Sequence, residues 1–400
     1  MLLHLLPLTL HLPTSGPSTR RQHLQTSAAA LAVLPPLAAH ADKCETDGAA
    51  CELVIPQQEL LGGLASAPVR HVIVTGASSG VGLAGAKLLT AAGHQVTLAC
   101  RTQAKADAAA AACMEFAASS AATGPADKPD FYTGRRAGGV ATGAACDLSS
   151  LASVRAFAAA RKGKPLDTLV LNAGLSLNVG DSTEQFTAEG FELTVGTNHL
   201  GHFALATLLQ PTLAKSALNP RLLVTASGVH DPTSGGGKQG GPEKWASLGE
   251  LKGLEGGAKF TMVDGGTYDP DKAYKDSKLC NMLFMAEAAR RWGGGGLTAN
   301  AFSPGLIADP KGFFRNQNPK FAAVFNSISR AAGVAETNDF AGSALAYLAV
   351  DPAMEGKTGG WYDALPLGKH SLAKHPPSVE AQDVAKQKKL WELSEKLVRA

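Results

Sequence analysis

From Arg70 onward, apolar and polar positions fall into a repeating rhythm. His71-Val-Ile-Val-Thr75 is a β-branched run that predicts a buried first strand. A glycine-rich turn and an Ala/Leu-rich helix over residues 83–92 follow. The same pattern predicts strands at 96–100 and 141–146, with helices at 104–118 and 150–160. Further strands are expected at 168–172, 221–226 and 297–302, with a long helix over 194–213 and another that carries Tyr274. Strands that are apolar throughout and alternate with helices predict a parallel sheet covered on both faces: an α/β, doubly wound, Rossmann-type fold. The rhythm closes only near the C-terminus, so a single domain is expected over 68–400. A long insertion at 231–267 precedes the Tyr274 helix; its glycine-rich part reads equally as a disordered connector or as a lid. Residues 119–139, rich in Ala, Ser, Gly and Pro, read as a lengthened loop.

The first 67 residues differ. Residues 1–41 contain no Asp or Glu and only two cations, Arg20 and Arg21. Such an acid-poor, Ser/Thr/Ala-rich start predicts a largely disordered organelle transit segment. Arg20-Arg21 also precedes an apolar run, 27–41, that ends in a small-x-small site. This resembles a twin-arginine export signal and leaves the thylakoid lumen open beside the stroma. Cys44 and Cys51 could pair if the compartment oxidises thiols. Pro35-Pro36 breaks the run, which is too short to span a bilayer.

Composition removes several classes. The net charge of +3 is dispersed over 400 residues, giving nucleic-acid binding no support. The six cysteines include no C-x-x-C pair and no His/Cys cluster, so no metal site is expected. His199 and His202 read as packing residues, and Cys280 as a small buried hydrophobe. No basic amphipathic helix is evident; peripheral membrane association and homo-oligomerisation stay open.

The candidate chemistry begins at Thr75-Gly-Ala-Ser-Ser-Gly-Val-Gly82, between the first strand and its helix. Gly76 permits the tight turn, Gly80 a close approach to a pyrophosphate, and Gly82 close packing of helix on strand, with Val81 between them. The phosphates would meet the free amides of the helix start. NAD sites place an acid at the end of the second strand. This chain has Cys100-Arg101, which favours NADPH through its 2′-phosphate, with Ser78 and Ser79 as further donors. Asp147 suits the adenine amine, and the backbone of Asn172, Ala173 and Gly174 suits the adenosine ribose.

Tyr274 and Lys278 stand four apart on one helix face. An ammonium beneath a phenol is expected to lower the phenol's pKa and to tune it for proton transfer. The glycine turn, Asn172-Ala-Gly174, Ser227 after the fifth strand and Tyr274-x-x-x-Lys278 together resemble the short-chain dehydrogenase/reductase superfamily. The resemblance implies that Tyr274 passes a proton and that Lys278 binds the nicotinamide ribose. It also implies that Ser227 positions the substrate, that Asn198 anchors a proton-relay water, and that Pro304-Gly305 covers the nicotinamide.

A narrower resemblance comes from the 46 residues between Ser227 and Tyr274, a gap much longer than most of that superfamily carries. The insertion, the run Phe186 to Phe203, Asp264-Gly-Gly and the terminal run Leu390 to Val398 resemble the light-dependent protochlorophyllide reductases. That implies light-triggered reduction of a tetrapyrrole pigment in chlorophyll biosynthesis, with hydride from NADPH and a proton from Tyr274, in a chloroplast. The family's Tyr-Pro-Gly-Cys sequence is here Ser303-Pro-Gly-Leu306, and an aromatic usual after the asparagine turn is replaced by Leu175-Ser-Leu177. Two rivals therefore stay open: a dark carbonyl or retinol-type dehydrogenase, and a non-catalytic NADPH- or pigment-binding member.

Overall fold

The computed structural model describes residues 53–122, 136–309 and 313–399. The transit segment through Arg20-Arg21, with Cys44 and Cys51, lies outside the described residues, as does most of the low-complexity loop after Ala122.

Among the described residues, nine strands form one sheet: β1 (Leu53–Pro56), β2 (His71–Thr75), β3 (Gln95–Cys100), β4 (Val140–Ala145), β5 (Thr168–Leu171), β6 (Arg221–Thr225), β7 (Thr298–Phe302), β8 (Trp361–Ala364) and β9 (Ser371–Lys374). Their order is β1-β9-β8-β7-β6-β5-β2-β3-β4. β2 to β8 pair in parallel, whereas β9 pairs antiparallel with β8 and with β1. The chain builds outward through β3 and β4, then returns to pair β5 with the other side of β2, Val72 opposite Thr168. That reversal leaves a crevice beyond the carboxyl ends of β2 and β5, where doubly wound sheets take their ligands.

The α-helices longer than four residues among the described residues are α1 (Gly80–Ala91), α2 (Gln103–Ala122), α3 (Leu151–Ala159), α4 (Gly201–Leu213), α5 (Pro270–Trp292), α6 (Pro319–Ala331), α7 (Asn338–Val350) and α8 (Val384–Arg399). No helix among the described residues is long and apolar enough to cross a membrane. β2 shows why its strand reads as uniformly apolar. Val72 and Val74 join a core with residues of α1 and α7, while Ile73 joins another with residues of α4, α5 and α8. Both faces are dry.

Two expectations need correction. The folded body does not start at 68: β1 adds an edge strand, and Leu60, Leu61 and Leu64 are buried in the core that contains Leu345 of α7. β1, β8 and β9 have only four residues each, too few for a period to emerge. The insertion is likewise no disordered connector. Leu248, Leu251, Leu254, Phe260, Met262 and Val263 are buried within it. α5 pins it down: Lys272 Nζ reaches Asp264 at 3.0 Å, Asp276 at 2.6 Å and the Ser247 carbonyl at 2.8 Å. Asp276 Oδ1 accepts the Ser247 amide at 3.0 Å, and Lys275 Nζ donates to the Gln239 carbonyl at 2.7 Å. Burial pushes the Asp276 carboxyl up to about 7, with Lys272 opposing.

Candidate active site

β2 carries Thr75 to the rim of the crevice, where the chain must turn sharply into α1. Gly76 does so at φ +66, and a Cβ there would stand 2.6 Å from Ala173 Cα. At Gly82 a Cβ would meet Asn172 Nδ2 at 2.5 Å and the Gly76 carbonyl at 2.8 Å, so only glycine lets α1 pack this closely. Gly80 also has positive φ, +57. Ser79 precedes α1 in extended conformation and its side chain caps no amide. The helix start therefore keeps its donors for an anion. Ser78, Ser79 and Arg101 are exposed and Val81 is half-buried, with Arg101 directly after β3. This glycine cradle, uncapped helix start and cation at the strand end fit a dinucleotide with a 2′-phosphate. Asp147 is engaged: its Oδ1 accepts both the amide (3.0 Å) and the hydroxyl (2.7 Å) of Ser149.

The residue that sequence reasoning passed over is Thr75. Its hydroxyl accepts the amides of Asn172 (2.9 Å) and Ala173 (3.0 Å), and lies 2.8 Å from His202 Nε2. Burial pushes His202 down to about 3, so its ring is neutral. Nδ1–H then donates to the Asn198 carbonyl at 3.0 Å, and Nε2 accepts the Thr75 hydroxyl. Asn172 Nδ2 returns a bond to the Thr75 carbonyl at 3.0 Å. One threonine thus ties the glycine turn, the asparagine turn and the helix of Asn198 together. His199 is also a packing residue, buried beside Phe203 and Phe284 and 2.8 Å from Ser394 Oγ.

Asn198 sits in a π turn, Gly196–Leu200, just before α4. Such turns recur at functional sites because they reorient one side chain without ending the helix. Its Oδ1 accepts the Leu175 amide at 2.9 Å; its Nδ2 donates to the Leu175 carbonyl (2.9 Å) and to Ser277 Oγ (3.0 Å). Ser277 in turn donates to the Tyr274 carbonyl at 2.7 Å. The Asn198 side chain thus brackets the Tyr274 turn against the loop after Gly174, and its carbonyl accepts from the His202 ring.

α5 begins with Asp269 accepting the Lys272 amide at 2.8 Å and Pro270 in its first turn. Tyr274 hydrogen-bonds the Ser227 hydroxyl. Lys278 Nζ donates to the Thr225 carbonyl at 3.2 Å and lies 5.5 Å from the centroid of the Tyr274 ring. A Cβ on Gly174 would stand 3.5 Å from that Nζ and 3.6 Å from Asn198 Oδ1. All four predicted groups therefore converge, but the expected tuning does not follow. Burial pushes the Tyr274 phenol above its ordinary value; Ser227 opposes the rise, while Asp271 adds to it. The ammonium lies over the ring face, and burial drives Lys278 itself down to about 8. Tyr274 keeps its proton at neutral pH.

After β7, Ser303 is buried and its hydroxyl accepts the Gly305 amide at 3.2 Å. Pro304 is half-buried, and Gly305 turns at φ +79 against Glu336 and Ala364. Leu306 is half-buried and its carbonyl accepts the Glu336 amide at 2.9 Å.

A short chain dehydrogenase family model matches residues 70–130. The chain is 40% identical over 336 residues to a protein named protochlorophyllide reductase, chloroplastic, of Cucumis sativus, covering 82% of this chain and 77% of that one. It is 37% identical to protochlorophyllide reductase A, chloroplastic, of Hordeum vulgare, over 100% and 99% of the two chains. Among solved structures, a putative uncharacterized protein from Mycobacterium Paratuberculosis superposes with a TM-score of 0.56 at 27% identity, covering 84% of this chain and 97% of that one. The L-sorbose reductase of Gluconobacter frateurii, at 17% identity and a TM-score of 0.52 over 75% of this chain and 96% of its own, shares the fold. The chain belongs to the protochlorophyllide reductase family of short-chain dehydrogenases.

Proposed function

We propose that this chain is an NADPH-dependent oxidoreductase that reduces protochlorophyllide in a chloroplast, with light as the trigger. The observation that carries the chemistry is the convergence of Tyr274 on the Ser227 hydroxyl, beside Lys278 and the Gly174 turn. The substrate comes from the relatives, which are named chloroplastic protochlorophyllide reductases.

Gly76, Gly80 and Gly82 make room for the pyrophosphate, Arg101 with Ser78 and Ser79 faces the 2′-phosphate, and Lys278 lies where a ribose would meet Gly174. The cofactor supplies the hydride when bound. Everything else falls to the chain. Tyr274 donates the proton through its phenolic oxygen, and the high pKa given by burial keeps that proton in place until it is needed. Ser227 fixes the direction of the phenol O–H. Ser277 and Asn198 fix the helix turn from which Tyr274 projects.

The full chain, mixed with NADPH and protochlorophyllide and flashed, should give the absorbance of chlorophyllide, with little change in the dark. Turnover in the dark, indifferent to illumination, would instead assign an ordinary carbonyl reductase. For the cofactor, Arg101→Ala should weaken NADPH binding about tenfold or more and leave NADH nearly unchanged. Equal loss for both would remove the 2′-phosphate role.

A further inference from the structure

The carboxyl ends of the strands hold the chemistry above. The opposite ends hold a second concave surface. The loop after α3 and the last turn of α4 frame a cavity of about 770 Å³, lined by Arg155, Lys162, Lys164 and Lys215. A smaller cavity of about 230 Å³ shares His71, Lys164, Pro165 and Leu166 with it and adds Arg161, Thr97 and Thr142. The one carboxylate lining either is Asp167, already engaged by the His71 amide at 2.7 Å, the His71 ring at 3.2 Å and the Ser216 hydroxyl. Asp167 precedes β5, and Asn172 follows it, so the two clefts lie at opposite ends of one strand.

Helix C-termini explain part of this charge. Lys162 follows α3 and Lys215 follows α4, where cations complement the carbonyl ends. They do not explain Arg161. Its guanidinium lies 5.1 Å from the Phe157 ring centroid and donates to Thr97 Oγ1 at 3.3 Å. Its Nε is enclosed without an acceptor from the chain, and no carboxylate pairs with it among the described residues. Burial pushes its pKa down, the mark of a desolvated cation with no compensating partner. Thr97 and Thr142 set their hydroxyls 3.4 Å apart beside it. A guanidinium fork, neighbouring lysines and two hydroxyls form a donor set for a phosphate or comparable oxyanion. At the larger cavity Val69 and Leu208 are exposed apolar groups, so the cleft offers contact to a ligand body as well.

We infer that this basic cleft, centred on Arg161 and Lys164, binds a phosphate ester that carries an apolar body, independently of the cofactor and pigment site. The cavity volume is that of a small-molecule site. A soluble ester and a phospholipid headgroup share this chemistry, and the experiment separates them.

The full chain is first saturated with NADPH, which fills the phosphate seats of the glycine turn. Octyl phosphate below its micellar concentration is then titrated by calorimetry, and phosphatidylglycerol vesicles are tested in parallel by co-sedimentation. Wild type should bind at least one probe. The Lys162→Gln/Lys164→Gln variant, altered only at exposed positions, should bind it roughly tenfold more weakly or worse. Arg161→Gln should do the same, with its melting temperature recorded to exclude unfolding, whereas Arg101→Ala should bind as wild type. Octyl phosphate bound without vesicles assigns a soluble ester; vesicle binding lost in the double variant assigns a headgroup. The cleft is refuted if neither probe binds at millimolar concentration, if the double variant binds as wild type, or if Arg101→Ala alone abolishes binding.

Discussion

Tyr274 has two flanks, and they are built differently. On the cofactor flank, Thr75, Asn172, Ala173, Asn198, His202 and Ser277 are bound to one another through buried or half-buried hydrogen bonds. On the flank proposed for the substrate, the loop after Leu175 meets the segment before α6 through two side chains. Asn316 Nδ2 donates to the Ser176 carbonyl at 3.0 Å, and Gln317 Nε2 donates to the Leu177 carbonyl at 2.7 Å. Nearby, Val179, Val324 and Ile328 stay exposed. A satisfied buried network specifies one geometry; an apolar surface with a few ties tolerates several. The proposed cofactor seat is thus held in one geometry, while the surface proposed for the substrate is held by fewer ties. After β7, the Ser303 hydroxyl accepts the Gly305 amide, and Leu306 carries no polar side-chain group.

The sharpest break of this comparison is Tyr274→Phe. It removes the proton donor and nothing from the cofactor cradle. Flash-driven turnover should fall roughly 10²–10⁴-fold while the NADPH dissociation constant stays within about twofold. Turnover at the wild-type rate would show that the proton comes from elsewhere.

Acid should attack the cofactor flank next. Burial pushes His199 and His202 down to about 3, and His94, directly before β3, down to about 4, from an ordinary 6.5. A lowered folded pKa means that the folded chain binds fewer protons than the unfolded chain as pH falls below 6.5. The stability they provide is complete above about 6.5 and is lost as pH falls toward 3–4, at up to about 1.4 kcal/mol per pH unit for each ring. The melting temperature should therefore drop steeply between pH 6.5 and 5, and His199→Asn should flatten the drop. A melting temperature level across that interval would contradict neutral buried imidazoles.

Thr75→Val keeps the shape and deletes the hydroxyl at the centre of the network. The amides of Asn172 and Ala173 and the Nε2 of His202 lose their partner together. A loss of roughly 2–4 kcal/mol is expected in denaturant unfolding, with weaker NADPH binding. If stability falls while NADPH affinity holds, the network supports the fold but not the cradle.

How far the sequence announces all this depends on what each pattern measures. The central strands and Gly76, Gly80 and Gly82 are legible because burial on both faces and left-handed turns leave direct marks in residue type. β1, β8 and β9 are not, being only four residues each. Thr75 reads as one more β-former, since nothing local reveals what its hydroxyl will meet 97 and 127 residues later. The sequence alone assigns no partners to Lys272, Lys275 and Asp276. Lys275 and Asp276 are in fact buried, and with Lys272 they hold the insertion, because the partners come from a segment with no period of its own. The Tyr274–Lys278 spacing gives proximity correctly and the sign of the pKa shift wrongly. Spacing reports distance along a helix, whereas desolvation of the phenol depends on everything packed around it.

The smallest effect should separate the flanks most cleanly. Gln317 is buried, and its side chain reaches the Leu177 carbonyl with Nε2 and the Val179 amide with Oε1 at 3.3 Å. Gln317→Ala removes both ties without touching Tyr274, the glycine turn or the asparagine network. One or two modest hydrogen bonds are worth about 1 kcal/mol, or roughly a fivefold change in binding. The Michaelis constant for the pigment should rise by about that factor, with NADPH affinity and the pH profile of turnover unchanged. If NADPH affinity fell in step, the two flanks would be one mechanical unit, and the adaptability assigned to the substrate side would have to extend to the cofactor seat.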